Sequence, residues 1–175
     1  DRRQRQMCIR DRLNGEAYLG LTSAVRNALE NPGSVYPSYE EQGIELAGLI
    51  WFQGIADSAS PSKAVEYEGH LANFVRDFRK EFKAPALPVV ISALADAERM
   101  SPEKQKVHDA QLAVGDAAKY PEFKEGLISI DTQPMCFPRK ECPGGRDFYK
   151  GHAGSYLQIG EAMGKAMLEV MNKKP

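Results

Sequence analysis

The segment from Glu45 to Ser58, ELAGLIWFQGIADS, constrains the fold of this chain more than any other stretch. Its apolar run, Leu46 to Phe52, stops abruptly at Gln53-Gly54 and gives way to small and acidic residues. A short continuous apolar run bounded by Gly reads as a strand buried on both faces, the kind found in parallel sheets. The polar groups after it then fall at the carboxyl end of the strand, where open α/β sheets place their ligands. Many buried strands end in Gly with no chemistry nearby, so the run alone leaves a structural and a functional reading open.

The rest of the chain alternates in a consistent order. Glu16 to Leu29 carries Leu19, Val25 and Leu29 at helical spacing and ends at the stop signal Asn31-Pro32-Gly33. Lys63 to Phe82 predicts a long amphipathic helix with Val65, Leu71, Phe74, Val75, Phe78 and Phe82 inward. Leu87–Leu94 reads as a second apolar strand. Ser101-Pro102-Glu103 supplies an N-cap, a proline at the first helical position and an acid near the start of a helix reaching about Lys119. Leu127–Ile130 reads as a third strand. Gly154 to Asn172 predicts a terminal helix with Tyr156, Ile159, Met163, Met167 and Val170 inward. Strands alternating with helices give a parallel sheet covered on both faces, a three-layer α/β/α arrangement.

Composition narrows the partners. The 175 residues suffice for one core, and a net charge of −1 with interspersed signs points away from nucleic acid and anionic membranes. No apolar run approaches the ~20 residues that span a bilayer, and the charged opening is unlike a signal peptide. Residues 1–12, DRRQRQMCIRDR, differ in composition from everything after them. They read as a non-native segment, or alternatively as a basic arm for an acidic partner, which leaves 13–175 as one domain. Cys136 and Cys142 flank a Pro-containing loop without the spacing of a zinc site. A loop-closing disulfide and two reduced thiols are both compatible with that spacing.

Trp51-Phe52-Gln53-Gly54 followed by Asp57 resembles the Trp-(His/Phe)-Gln-Gly-x-x-Asp block of the sialate O-acetylesterase-like carbohydrate esterases, a branch of the SGNH/GDSL hydrolases. The similarity continues through Tyr67–Lys80, Leu87–Ile91 and Ala110–Val114, and closes with Ala153–Met167. The resemblance implies an SGNH-hydrolase or flavodoxin-like sheet and removal of acetyl groups from sialic acid or polysaccharide. It also implies an acetylated carbohydrate as partner, no metal or organic cofactor, and an extracellular or periplasmic setting. The family's nucleophile belongs to a Gly-Gln-Ser-Asn block on the first strand, and no such block occurs here. Ser58, Ser60 and Ser62 sit in polar loop contexts. The chain is therefore expected to correspond to the carboxyl-terminal part of such a domain, truncated at its amino end, with an unpaired strand edge and exposed apolar side chains.

Five residues are candidates for the site. Gln53 could donate toward a developing oxyanion, or could merely satisfy buried backbone groups. Gly54 lets the chain turn without a side chain in the cleft. Asp57 resembles the family's acid, and on its own reads equally as a helix cap. The family's usual His falls on Phe148, preceded by Asp147, which keeps an acidic character, while His152 lies one loop turn away as a possible base. His70 and His108 read as helical surface or rim residues. Ala56 stands where many relatives carry an Asn donor. Three classes remain open on these residues: an esterase, a catalytically inactive glycan binder, and a non-catalytic scaffold.

Overall fold

The computed structural model describes residues 15–97, 100–144 and 148–173. The elements are α1 (Glu16–Glu30), α2 (Pro32–Val35), β1 (Leu49–Trp51), α3 (Pro61–Glu81), β2 (Val89–Ser92), α4 (Pro102–Val114), β3 (Leu127–Ile130) and α5 (Ala153–Asn172). The three strands form one parallel sheet in the order β1-β2-β3. Leu49 pairs with Val89, and Val89 in turn with Leu127. The predicted α/β class, parallel pairing and adjacency all hold.

Strand alternation sorts side chains between two layers. Leu49, Trp51, Val89 and Ile91 pack into one core with Tyr67, Leu71, Phe74, Val75 and Phe78 of α3 and Val107 and Val114 of α4. Tyr18, Leu21 and Val25 of α1 close that core from outside. On the other face α5 lies over β2 and β3. There Ala95, Tyr149 and Ile159 form a smaller cluster with Met135, Cys136 and Met163.

Several expectations need correction. The run at Leu46–Phe52 is not a strand buried on both faces. Only Leu49–Trp51 pairs, and Ile50 is 48 % exposed. The reason is position: β1 pairs only with β2 among the described residues, and α5 covers the other two strands. With Phe52 also exposed, β1 is an edge strand with an uncovered apolar face among the described residues. Val65 points outward and Tyr67 inward, because Tyr67 lies four residues before Leu71 on the buried stripe whereas Val65, six before it, falls off that stripe. Leu19 is likewise exposed, and Tyr18 takes its place beside Phe74, ring edge to ring face at 6.2 Å. Tyr156 sits at the rim, exposed but edge-on to Tyr149. Helix α4 stops at Val114 instead of Lys119, since Gly115 ends it and Asp116 starts a turn closed by Lys119 and Tyr120. Its amino end follows the sequence reading, with the Ser101 hydroxyl accepting from Lys104 N.

One buried cation ties the sheet's amino-terminal side. Arg79 of α3, 8 % exposed, donates through Nε and Nη2 to Leu87 O (3.1 and 2.8 Å) and through Nη2 to Gly126 O (2.8 Å). Those carbonyls belong to the residues that lead into β2 and β3. A Cβ on Gly126 would stand 2.7 Å from Nη2, so a larger residue there would displace the guanidinium from its carbonyls.

Candidate active site at the carboxyl ends of the strands

Parallel strands deliver their carboxyl ends to one rim, and the segments that leave β1 and β2 there form opposite walls of a cleft of about 420 Å³. Phe52, Gln53, Gly54 and Ile55 line one wall, and Ser92, Leu94, Ala95 and Asp96 the other, with Lys104 beside them. Tyr149 and Lys150, from the loop before α5, close the cleft. Both adopt left-handed backbone, φ 53°. Two successive non-glycine residues held that way are uncommon outside functional sites. The ring of Tyr149 lies nearly parallel to that of Phe52, with centroids 6.2 Å apart.

The β1 wall hangs on a directional hydrogen-bond chain. Leu94 N donates to Gln111 Oε1 at 2.6 Å, which forces the Gln111 amide nitrogen toward Gln53 O and the Tyr67 hydroxyl. Tyr67 also accepts from Trp51 Nε1 and donates to Gln53 Oε1 at 3.1 Å. Gln53 Nε2 then donates to Asp57 Oδ2 at 2.7 Å. Burial pushes the Tyr67 phenol well above its ordinary value, so it remains a neutral donor. Gly54 sits against this chain with φ 149°, and a Cβ there would meet Val107 Cγ1 at 2.9 Å and Gln111 Nε2 at 3.1 Å. Glycine is therefore needed at this position for both conformation and space.

The β2 wall is fixed residue by residue. Thr132 Oγ1 donates to Ala93 O at 2.6 Å. Leu94 is gripped at both ends of its peptide, its N–H by Gln111 and its carbonyl by His108 Nδ1 at 2.6 Å. Since a carbonyl only accepts, that contact sets the tautomer with hydrogen on Nδ1. Gln133 does the same for Asp96, accepting from its N at 3.1 Å and donating to its O at 2.9 Å. Lys104 pairs with the Asp96 carboxylate at the rim.

The candidate residues are distributed unevenly around this cleft. Gln53 and Gly54 line it, with one amide hydrogen of Gln53 spent on Asp57 and the second available. Asp57 is 5 % exposed and opens a single 3₁₀ turn, Asp57–Ala59, which it does not cap. Burial raises its carboxyl above the usual range, against the lowering effect of the Gln53 hydrogen bond. His152 caps α5, its Nδ1 accepting from Ser155 N at 3.3 Å, and stacks on Phe137 at 3.9 Å between centroids. It is the neighbours Tyr149 and Lys150 that reach the cleft. Asp147 lies outside the described residues. His70 is a surface residue next to Glu66, as read. The rim reading of His108 is corrected: it is 6 % exposed and faces Leu94 from α4. Ser58 is buried and donates to Ile55 O, while Ser60 and Ser62 bond each other. Cys136 and Cys142 are free thiols, and burial pushes Cys136 up to about 11. Among the described residues there is no cluster of His, Cys, Asp or Glu able to hold a metal, and no helix is long and apolar enough to cross a membrane.

Tyr67, Gln111, His108 and Gln133 escaped the sequence reading. A usable signal existed for three of them: polar groups standing on the buried stripe of an otherwise amphipathic helix, Tyr67 four residues before Leu71 and Gln111 three before Val114, with His108 one turn earlier. Gln133, in a loop, carried none.

The family model described as carbohydrate esterase, sialic acid-specific acetylesterase, matches residues 16–129. That match takes in both cleft walls and the whole Gln53-to-Asp57 network. The chain belongs to this carbohydrate esterase family. No curated protein matches the chain. An X-ray structure of a protein from Arabidopsis thaliana is similar in fold, with a TM-score of 0.65 at 18 % identity, covering 93 % of this chain. The chain spans 57 % of that protein's length.

The raised Asp57 carboxyl gives a signed expectation. An acid whose folded value lies above its unfolded one stabilises the fold below its ordinary range and loses that contribution as pH rises through the folded value. Asp57→Asn keeps an acceptor for Gln53 Nε2 and removes the charge. Its melting temperature should therefore exceed the parent's at pH 7, and the gain should shrink toward zero as pH falls through the carboxylate range. A loss of stability at pH 7 would show that the ionised form is the one the network requires.

Proposed function

We propose that the intact protein is a carbohydrate O-acetylesterase that cleaves acetyl esters by a serine mechanism, on sialic acid or polysaccharide, outside the cytoplasm. The observation that carries this reading is the cleft itself: Gln53-Gly54 and the Tyr149–Lys150 loop meet at the carboxyl ends of the strands within a member of a carbohydrate esterase family. In this reading the nucleophilic serine comes from polypeptide upstream of these residues and attacks the acetyl carbonyl from the open side of β1. The second amide hydrogen of Gln53 meets the oxyanion, held in direction by Tyr67 and Asp57. His152 serves as the base once its imidazole leaves the α5 cap, because a neutral ring that accepts Ser155 N–H at Nδ1 carries its hydrogen on Nε2 and has no lone pair left for the serine. Ala56 supplies no donor, so the oxyanion relies on Gln53.

This division of labour sets the outcome for the 175-residue chain alone. Lacking the nucleophile, it should hydrolyse an aryl acetate no faster than solvent does. A longer coding sequence carrying a Gly-Gln-Ser-Asn block should restore turnover, and Gln53→Ala in that longer protein should lower kcat by about 10²–10³. Rapid turnover by the purified, monomeric chain would place the nucleophile among its own serines, beginning with Ser58. A longer sequence without that serine would favour an inactive glycan-binding relative, in keeping with Ala56 and with Phe148 at the position of the usual His.

A further inference from the structure

Among the described residues a single buried side-chain polar atom has no hydrogen-bond partner, and it is the hydroxyl oxygen of Ser92. Ser92 ends the central strand, is 1 % exposed, and lines the cleft with Gln53, Leu94 and Tyr149. The ladder sets its place. It pairs with Ile130 on β3, and one step past the Trp51–Ile91 pair it comes level with Phe52. The preceding residues of the strand, Val89, Val90 and Ile91, are apolar and fully buried.

An orphaned buried hydroxyl destabilises the fold, whereas an apolar residue of the same shape costs nothing of the kind. The polar groups around it are otherwise committed. Thr132, Gln111, His108 and Gln133 are spent on the 93–96 backbone, and Gln53 on Asp57 and Tyr67. On the neighbouring strand Ser129 Oγ donates to Gln111 O at 2.7 Å. A buried uncommitted hydroxyl beside Thr132, Gln111, His108 and Gln133, all of them spent on backbone, points to something that enters the cleft.

We propose that Ser92 is a ligand-binding residue of this cleft, its hydroxyl hydrogen-bonding an oxygen of a carbohydrate ester that lies against the exposed ring of Phe52. This rests on the carbohydrate-ester reading given above. Phe52 is 45 % exposed and its ring stacks on the buried Tyr149, so Phe52 offers a supported apolar surface to the C–H face of a pyranose, with the sugar's oxygens directed to its edges. A serine hydroxyl both donates and accepts, and so can meet an ester carbonyl or a ring hydroxyl. It turns on one bond, and a change of χ1 or one bridging water completes the contact from its sheltered position.

The test is titration of the isotopically labelled 175-residue chain with methyl tri-O-acetyl-xylopyranoside, followed by NMR, on the parent, Ser92→Ala and Ser129→Ala. Ser92→Ala should keep or raise the melting temperature and weaken Kd about five- to tenfold. Ser129→Ala loses a bond that is made, so its melting temperature should fall while Kd stays unchanged. Binding by the parent with an unaltered Kd in Ser92→Ala would overturn the role of Ser92 and leave the esterase reading standing. A fall in the melting temperature of Ser92→Ala would overturn it as well, by revealing a structural partner. No binding by the parent would overturn the role of Ser92, and the esterase reading of the intact protein would then rest on the turnover test of the longer sequence.

Discussion

A Gln111→Leu chain should melt about 10 °C below the parent, taking roughly 3 kcal/mol lost at 2–4 °C per kcal/mol for a chain of this size. Gln111 is fully buried and bonds Leu94 N, Gln53 O and the Tyr67 hydroxyl. Leucine fills nearly the same volume, so packing survives and the loss isolates the polar groups. Leu94 N–H is then left with no side-chain acceptor, and Gln53 O keeps only the Tyr67 hydroxyl, whose one hydrogen it shares with Gln53 Oε1. The two cleft walls, which this side chain's amide bridges beyond the last strand pair, should loosen ahead of the rest. Hydrogen exchange should therefore report Leu94 and the residues around Gln53 as the first amides to lose protection. Gln111→Glu keeps the acceptor for Leu94 and replaces the donor with a buried charge, so it should be destabilised at neutral pH and partly recovered in acid. A melting temperature within a degree or two of the parent for Gln111→Leu would mean that water or Tyr67 takes over the bridging role.

The other large effect lies at the opposite end of the sheet. Arg79→Ala should cost about 3–4 kcal/mol, a drop on the order of 10 °C, because the buried Leu87 O loses its guanidinium donor and Gly126 O is left with Val89 N alone. The guanidinium also stands 5.5 Å from the centre of the Phe123 ring, a contact that alanine removes. Arg79 itself is not free of cost: burial lowers its pKa. Arg79→Met, which fills the space and removes the charge, should thus lose less than Arg79→Ala. Arg79→Lys, with one nitrogen in place of a planar fork, should not restore the parent. Denaturant unfolding of the three variants checks the order. Equal losses for Ala and Met would assign the whole effect to hydrogen bonding and none to packing.

These two residues mark where reading the sequence stops. Helices and strands came from apolar periodicity, which is a one-dimensional property, and most were placed to within a few residues. Val65 and Leu19 were assigned inward because hydrophobicity was read without the phase of the whole stripe. His108 was read as a rim residue because a polar residue on a helix is usually solvated, and only the approach of the Leu94 carbonyl reverses that. The strand at Leu49–Trp51 was read as fully buried because its composition records what could cover it, while its exposure records what does.

The sequence by itself determined the alternation of elements, and hence the parallel sheet. Strands separated by amphipathic helices have few ways to bury their apolar faces, and right-handed crossovers remove most of those. It also determined that Gln53, Gly54 and Asp57 share one turn, since four or five residues cannot travel far from a strand end. What only the tertiary structure decided is which distant groups meet them. Gln111 is 58 positions from Gln53, and its amide acquires a direction only when Leu94 N–H claims its oxygen. In the same way Ser92 is one more residue of an apolar strand until the folded cleft leaves its hydroxyl alone. A hydrogen bond depends on distance and angle between atoms, and the order of residues carries neither until the chain is packed.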